Sequence, residues 1–137
     1  MRQLAYWIQR GDLSAVDYEP VDAASAIEIF SIHDWNEELQ FFSQIENSGG
    51  DSCPPGIGFV DPDGPILHVC PGTHDDTMVH YTSNQSHKLL GFIPTGERMT
   101  YTRQRVTDND VVQLIQWFFD GRHDLLVENF STAGQLN

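Results

Sequence analysis

Lysine is almost missing from these 137 residues. Lys88 stands alone, and with six arginines it faces 20 aspartates and glutamates, for a formal net charge of −13. That shortage disfavours an autonomous nucleic-acid binder, because neutralising phosphates and releasing their counterions takes clustered cations. Adhesion to an anionic membrane is disfavoured on the same ground. Cysteine is scarce too: Cys53 and Cys70 are too few for a disulfide scaffold. Long apolar runs are lacking, with no window near the roughly 18 residues of a spanning helix. The opening MRQLAYWIQRGD has neither the apolar core nor the small-residue cleavage site of a signal peptide. These absences lead to an expected cytoplasmic setting with both thiols reduced.

Motifs that carry catalysis are also wanting. There is no Gly-x-Ser-x-Gly elbow, no phosphate loop followed by Lys and Ser or Thr, and Gly56-Ile57-Gly58 lacks the third glycine of a dinucleotide fingerprint. Cys53-Pro54-Pro55 is not the Pro-Cys-x-x-Cys of zinc deaminases, and His-x-Glu does not occur. Asp61-Pro62-Asp63-Gly64 has the wrong spacing for a calcium loop and reads as a turn, where proline presets φ and glycine accepts positive φ. His68, Cys70 and His80, with Cys53 upstream, have the chemistry for zinc but none of the paired spacing that structural sites use. The expectation is a protein that is not an enzyme, with no metal and no cofactor.

What is present is enough for a fold. Hydrophobic residues are 39% and aromatics 11%, including Trp7, Trp35 and Trp117. A chain of this length buries roughly two-thirds of its unfolded surface, so one real core and one domain are expected. The charge is polarised. Residues 1–87 carry a balance of −12, residues 88–106 one of +3 through Lys88, Arg98, Arg103 and Arg105, and the remainder one of −4. Either those cations pair with acids across a sheet, or the acid-only surface is kept for a cationic partner.

Periodicity then places the elements. Residues 3–9 read as a strand ending at Gly11-Asp12, and 12–25, polar with Pro20, as a long connection. In 26–32 the cluster of Ile27, Ile29 and Phe30 favours a strand over a helix. Asp34 with Glu37 three residues on begins a helix over 35–46, with Trp35, Leu39, Phe42 and Ile45 on one stripe and Asn47 to Gly50 as its end. Five short runs follow as strands: 56–60, 66–70, 78–82, 88–93 and 99–106. Alternation puts Met99, Tyr101, Arg103 and Arg105 on one face of the last. Thr107 caps a second helix whose stripe includes Phe118 and Phe119 and which Gly121 ends; 125–130 reads as a terminal strand and 131–137 as a flexible tail. The fold class is thus α+β: a single domain over 1–130, a mostly antiparallel meander with two helices packed on one face.

The second half also carries a pattern. The glycine-bearing strand Gly56–Val60 is followed by His80-Tyr81, a strand ending at Arg105-Val106 and an acid-capped helix. That helix closes on Phe118-Phe119-Asp120-Gly121-Arg122-His123 and leads into Leu126-Val127-Glu128-Asn129-Phe130. This arrangement, over residues 56–130, resembles the first-named immunity-protein family of bacterial polymorphic toxin systems. Asp124 or a neighbour stands where the family usually has proline, and Phe130 where it has tryptophan. The resemblance implies a small cytoplasmic protein, monomeric alone and heterodimeric with a cognate toxin domain, often a nucleic-acid-targeting deaminase delivered by contact-dependent or type VI secretion. An acidic inhibitor suits the cationic cleft of such a toxin. Candidate partner-binding residues are Asp61, Asp63, Asp75 and Asp76 in turns, with Tyr81 as an aromatic anchor. Trp35, Phe42, Phe118 and Phe119 lie on helical stripes and are expected in the core. Two alternatives stand beside this reading: a small metal-dependent hydrolase or sensor using His68, Cys70, His80 and neighbouring acids, and a general protein-binding adaptor or secretion chaperone.

Overall fold

In the computed structural model, which describes residues 2–73, 76–83 and 99–135, six strands form one antiparallel sheet. The chain runs β1 (Leu4–Gln9), β2 (Ala15–Val21), α1 (Ala23–Ile32), α2 (Trp35–Asn47), β3 (Gly56–Val60), β4 (Ile66–Cys70), β5 (Thr77–Ser83), β6 (Met99–Val106), α3 (Asp108–Phe119) and α4 (His123–Gln135). Spatial order is β2-β1-β3-β4-β5-β6. From β3 to β6 the sheet is a simple meander, while β1 reaches β3 only after the chain has passed through α1 and α2. The fold is α+β, and no helix among the described residues is long and apolar enough to cross a membrane.

Alternation along the strands makes the core. Leu4, Tyr6 and Ile8, Ile57 and Phe59, Leu67 and Val69, and Val79 and Tyr81 all point to one face and are buried there. Against them lie Ala26 and Phe30 of α1, the α3 stripe Val111, Leu114, Ile115, Phe118 and Phe119, and Leu126 and Phe130 of α4. Each fully buried large side chain of this kind contributes about 1.5–3 kcal/mol through removal from water. The helix starts are as the caps require: Asp34 accepts from the Glu37 amide at 3.1 Å and Thr107 from the Asp110 amide at 3.2 Å.

Three segments depart from their sequence reading. Residues 26–32 are helical. Asp22 accepts the Ser25 amide at 2.8 Å and starts the helix at Ala23, so the cap lies outside the apolar window, and Ala26 and Phe30, four apart, take the buried stripe. Residues 125–130 are helical too. Gly121 (φ 73°) ends α3, and α4 then buries Leu126 and Phe130, again four apart. It continues to Gln135, through most of the expected tail. The connection at 12–25 contains β2, paired to β1 through Tyr6↔Tyr18, Trp7↔Asp17 and Ile8↔Val16. Among the described residues there are therefore four helices rather than two. The expected strand 88–93 lies outside the described residues.

Two side-chain placements change as well. Phe42 is only half-buried: it packs on Gly11, where an added Cβ would stand 2.7 Å from the Phe42 Cα. The shared face of β6 breaks at Arg105, whose φ of 58° goes with a register shift opposite Thr77–Val79 and lets Val106 take the buried position. Arg103 does not pair across the sheet. Its guanidinium donates to Asn129 of α4 at 2.7 Å and lies 3.8 Å from Asp110 of α3.

Candidate functional site

Three groups of side chains have enough chemistry to be weighed. The first contains two of the expected partner-binding residues, and it is internal. Asp61 closes the β3–β4 turn, as its Asp-Pro-Asp-Gly sequence suggested, accepting the Asp63 amide at 2.9 Å. Its carboxylate is 2% exposed; it takes the Arg2 guanidinium at 2.6 Å and lies 3.3 Å from His123 Nε2. The other ring nitrogen, His123 Nδ1, is 2.7 Å from the Tyr81 hydroxyl. Tyr81 is fully buried, with Phe118, Phe130, Tyr101 and His123 around its ring. Burial pushes the Asp61 carboxyl upward, but the Asp63 amide and Arg2 outweigh it and hold it below the usual carboxylate range. Burial, with the charges of Tyr101 and Asp61, raises the Tyr81 phenol. The group joins the start of α4 to the sheet. Asp61 and Tyr81 are thus corrected from surface contacts to core fasteners. Asp63 and Asp76 are exposed on separate turns, and Asp75 lies outside the described residues.

The second group is a row across the face of the sheet turned away from the helices. Asp17, Trp7, Gly58, His68, His80 and Thr102 are successive cross-strand partners. Gly58 makes room for Trp7: an added Cβ would fall 2.0 Å from the indole. Trp7 lies 5.5 Å from the His68 ring, His68 lies 5.9 Å from His80, and His80 Nδ1 is 2.9 Å from Thr102 Oγ1. Cys70 Sγ is 3.6 Å from His68 Nε2. Burial and then the neighbouring His80 lower the His68 pKa to about 4, and burial lowers that of His80. Burial and then Cys53 push the Cys70 thiol up to about 11, so it is protonated and unreactive at neutral pH. His68, Cys70 and His80 do share one face, yet among the described residues no three His, Cys, Asp or Glu side chains gather into a group that could hold a metal ion.

A pH dependence follows from this row. The folded-state value of His68 lies below its ordinary 6.5, so the unfolded chain binds the extra proton and stability falls as pH drops from about 6.5 towards 4. Between pH 8 and pH 5 the loss from His68 is expected to be about 2 kcal/mol. Urea midpoints at both pH values, compared with those of a His68→Gln variant whose stability changes less, measure it.

The third group was not anticipated, and it is the one that sets exposed apolar side chains among acids. It comprises the β1–β2 hairpin and the start of α2. Tyr18 stacks on Tyr6 with centroids 4.8 Å apart, yet remains 41% exposed; Val16 is 53% exposed. With Ile8 they floor a groove of about 270 Å³ walled by Arg10, His33, Asp34, Glu37 and Glu38. A second groove of about 390 Å³ adjoins it and shares His33 and Asp34. Leu13, at the hairpin turn, has φ 75° and is 53% exposed, and Ile32 at the end of α1 is 74% exposed. A leucine in left-handed backbone costs about 1–2 kcal/mol, and here that strained residue keeps its apolar side chain in water. Residues 10–51 hold ten acids against Arg10 alone. Arg10 is already engaged, donating to Glu38 Oε1 at 2.9 Å and lying 4.4 Å over the Phe41 ring. Exposed apolar side chains bordered by acids of one sign are features of a protein-binding surface. The signal in the sequence was the alternation Ala15-Val16-Asp17-Tyr18-Glu19, hidden by the acids and by Pro20. Compared with known proteins, the chain matches no family model, no curated protein and no solved structure.

Proposed function

We propose that this chain is an immunity protein that binds and neutralises a cognate secreted bacterial toxin, of the nucleic-acid-targeting deaminase type, by covering its cationic active-site region. The observation that carries the reading is the surface of the hairpin and α2. It combines exposed Val16 and Tyr18 in the groove, and Leu13 at the hairpin turn, with acids whose neighbouring Arg10 is already paired. A toxin that acts on DNA or RNA presents basic surface to its substrate, and an acidic, apolar-centred face competes for that surface. Apolar anchors supply most of the affinity in such complexes, and charge supplies the speed of encounter.

Co-expression with the toxin domain encoded by the adjacent gene tests the proposal. Rescue of growth and co-purification as a tight heterodimer are expected; a chain that neither rescues nor binds refutes it. The association rate is expected to fall as salt rises, because the Debye length shrinks from ~10 Å at 0.1 M to ~3 Å at 1 M. Stopped-flow mixing at the two ionic strengths reads this directly, and an unchanged rate removes the electrostatic part of the reading.

A further inference from the structure

We infer that the outer edge of β2 accepts an extended strand of the partner, one that alternates basic and apolar residues. This rests on the reading above and adds where the partner is held and by what pattern. β2 ends the sheet, and among the described residues no strand pairs with its outer side. Over Ala15–Tyr18, where its pairing with β1 is regular, every second residue therefore points its backbone N–H and C=O outward, and such an edge is a template for another strand. Pro20, which lacks an N–H, limits that pairing to the stretch before it.

The side chains select the occupant. Val16 and Tyr18 lie on the helix side of the sheet, as partners of Ile8 and Tyr6, and open onto the acidic groove. Asp17, the partner of Trp7, lies on the opposite side, and the exposed Glu19 follows Tyr18 where the β1–β2 register shifts before Val21. A strand added to this edge sets its alternate side chains against apolar Val16 and Tyr18 on one face and against carboxylates on the other. Opposite charges and aromatic–apolar contacts directly across a pair are the stabilising combinations. A second copy of β2 fits poorly, because its own Asp17 and Glu19 would come close to these acids. An acidic or neutral strand leaves the carboxylates unanswered. The edge thus favours a lysine- or arginine-bearing strand and resists self-association. Leu13, apolar and exposed in the adjoining turn, extends the apolar contact past the strand's end.

The test uses the full chain and a short synthetic peptide alternating lysine and valine, with a block peptide of the same composition as control. The alternating peptide is expected to slow amide hydrogen exchange within residues 15–19. The Asp17→Lys, Glu19→Lys double variant is expected to bind it at least about tenfold more weakly by fluorescence anisotropy. Both substituted residues are exposed, and a thermal melt confirms that the variant folds. Equal protection by the block peptide, protection confined to other strands, undiminished binding by the variant, or pairing of β2 with a second copy would each overturn the inference. Growth rescue by a chain whose β2 stays unprotected in the toxin complex sinks this inference alone. Protection of β2 by the peptide in a chain that fails to rescue growth sinks the toxin reading alone.

Discussion

Tyr81→Ala is expected to lower the unfolding free energy by about 4 kcal/mol, in the range of truncating a large buried aromatic. The ring is fully buried and in contact with Phe118, Phe130, Tyr101 and His123, on β6 and both C-terminal helices, so its removal leaves a void that four rings line. Tyr81→Phe keeps the ring and removes only the hydroxyl that meets His123 Nδ1 at 2.7 Å; a cost of about 1 kcal/mol is expected. Urea unfolding of the two variants separates packing from hydrogen bonding. The same pair settles what Tyr81 is for. A partner anchor would weaken binding without changing stability, whereas a core residue changes stability and leaves the affinity of the folded fraction alone.

Asp61→Ala is expected to cost about 2–3 kcal/mol, the range for losing hydrogen bonds to a charged acceptor, because the 39% exposed Arg2 left behind can return to water. Its carboxylate is approached by the Arg2 guanidinium, the Asp63 amide and His123, so truncation strips partners from three segments far apart in sequence. Because Asp61 has a carboxyl pKa below its ordinary 3.8, its contribution is present above that value and lost as pH falls through the lower folded one. The acid limb of the stability curve, measured by urea unfolding between pH 5 and 2, should therefore be flatter in the variant than in the parent. Asp61 and Tyr81 both reach His123, so their substitutions are expected to be non-additive.

Much of the fold was legible because independent signals coincided. In α3 the Thr107 cap, the acids of the first turn, the apolar stripe from Val111 to Phe119 and the terminating Gly121 all agree. In β3 and β4 the apolar runs are bounded on both sides by Pro and Gly turns, and β5 follows Pro71-Gly72 and ends at the polar Ser83-Asn84-Gln85. The misread segments lacked that agreement. Ile27, Ile29 and Phe30 look strand-like in a seven-residue window, while the helix is decided by Asp22 upstream and by the packing of Ala26 and Phe30. Leu126 and Phe130 declare a helix only through contacts with partners distant in sequence.

The site was less legible than the fold, for a reason of scale. An acidic turn looks the same whether its carboxylate points to water, as that of Asp76 does, or closes a core network, as that of Asp61 does. Which one occurs depends on Arg2 and His123, roughly 60 residues away on either side. The exposed surface was missed because β2 is an edge strand with a proline. Its alternation is visible only when Tyr18 is known to lie beside Tyr6.

The long route from β1 to β3 bears on how the protein is made. Trp7 leaves the ribosome well before Gly58, its β3 partner, with α1 and α2 in between. At about 5–20 residues per second the hairpin waits several seconds with both of its edges bare. A nascent hairpin in that condition invites pairing with other unfinished chains. Asp12, Asp17, Glu19 and Asp22 sit along it throughout that interval, and mutual repulsion between neighbouring copies keeps them apart until β3 arrives. The acids proposed above to meet a basic partner would then have an earlier duty, as chaperones of their own synthesis.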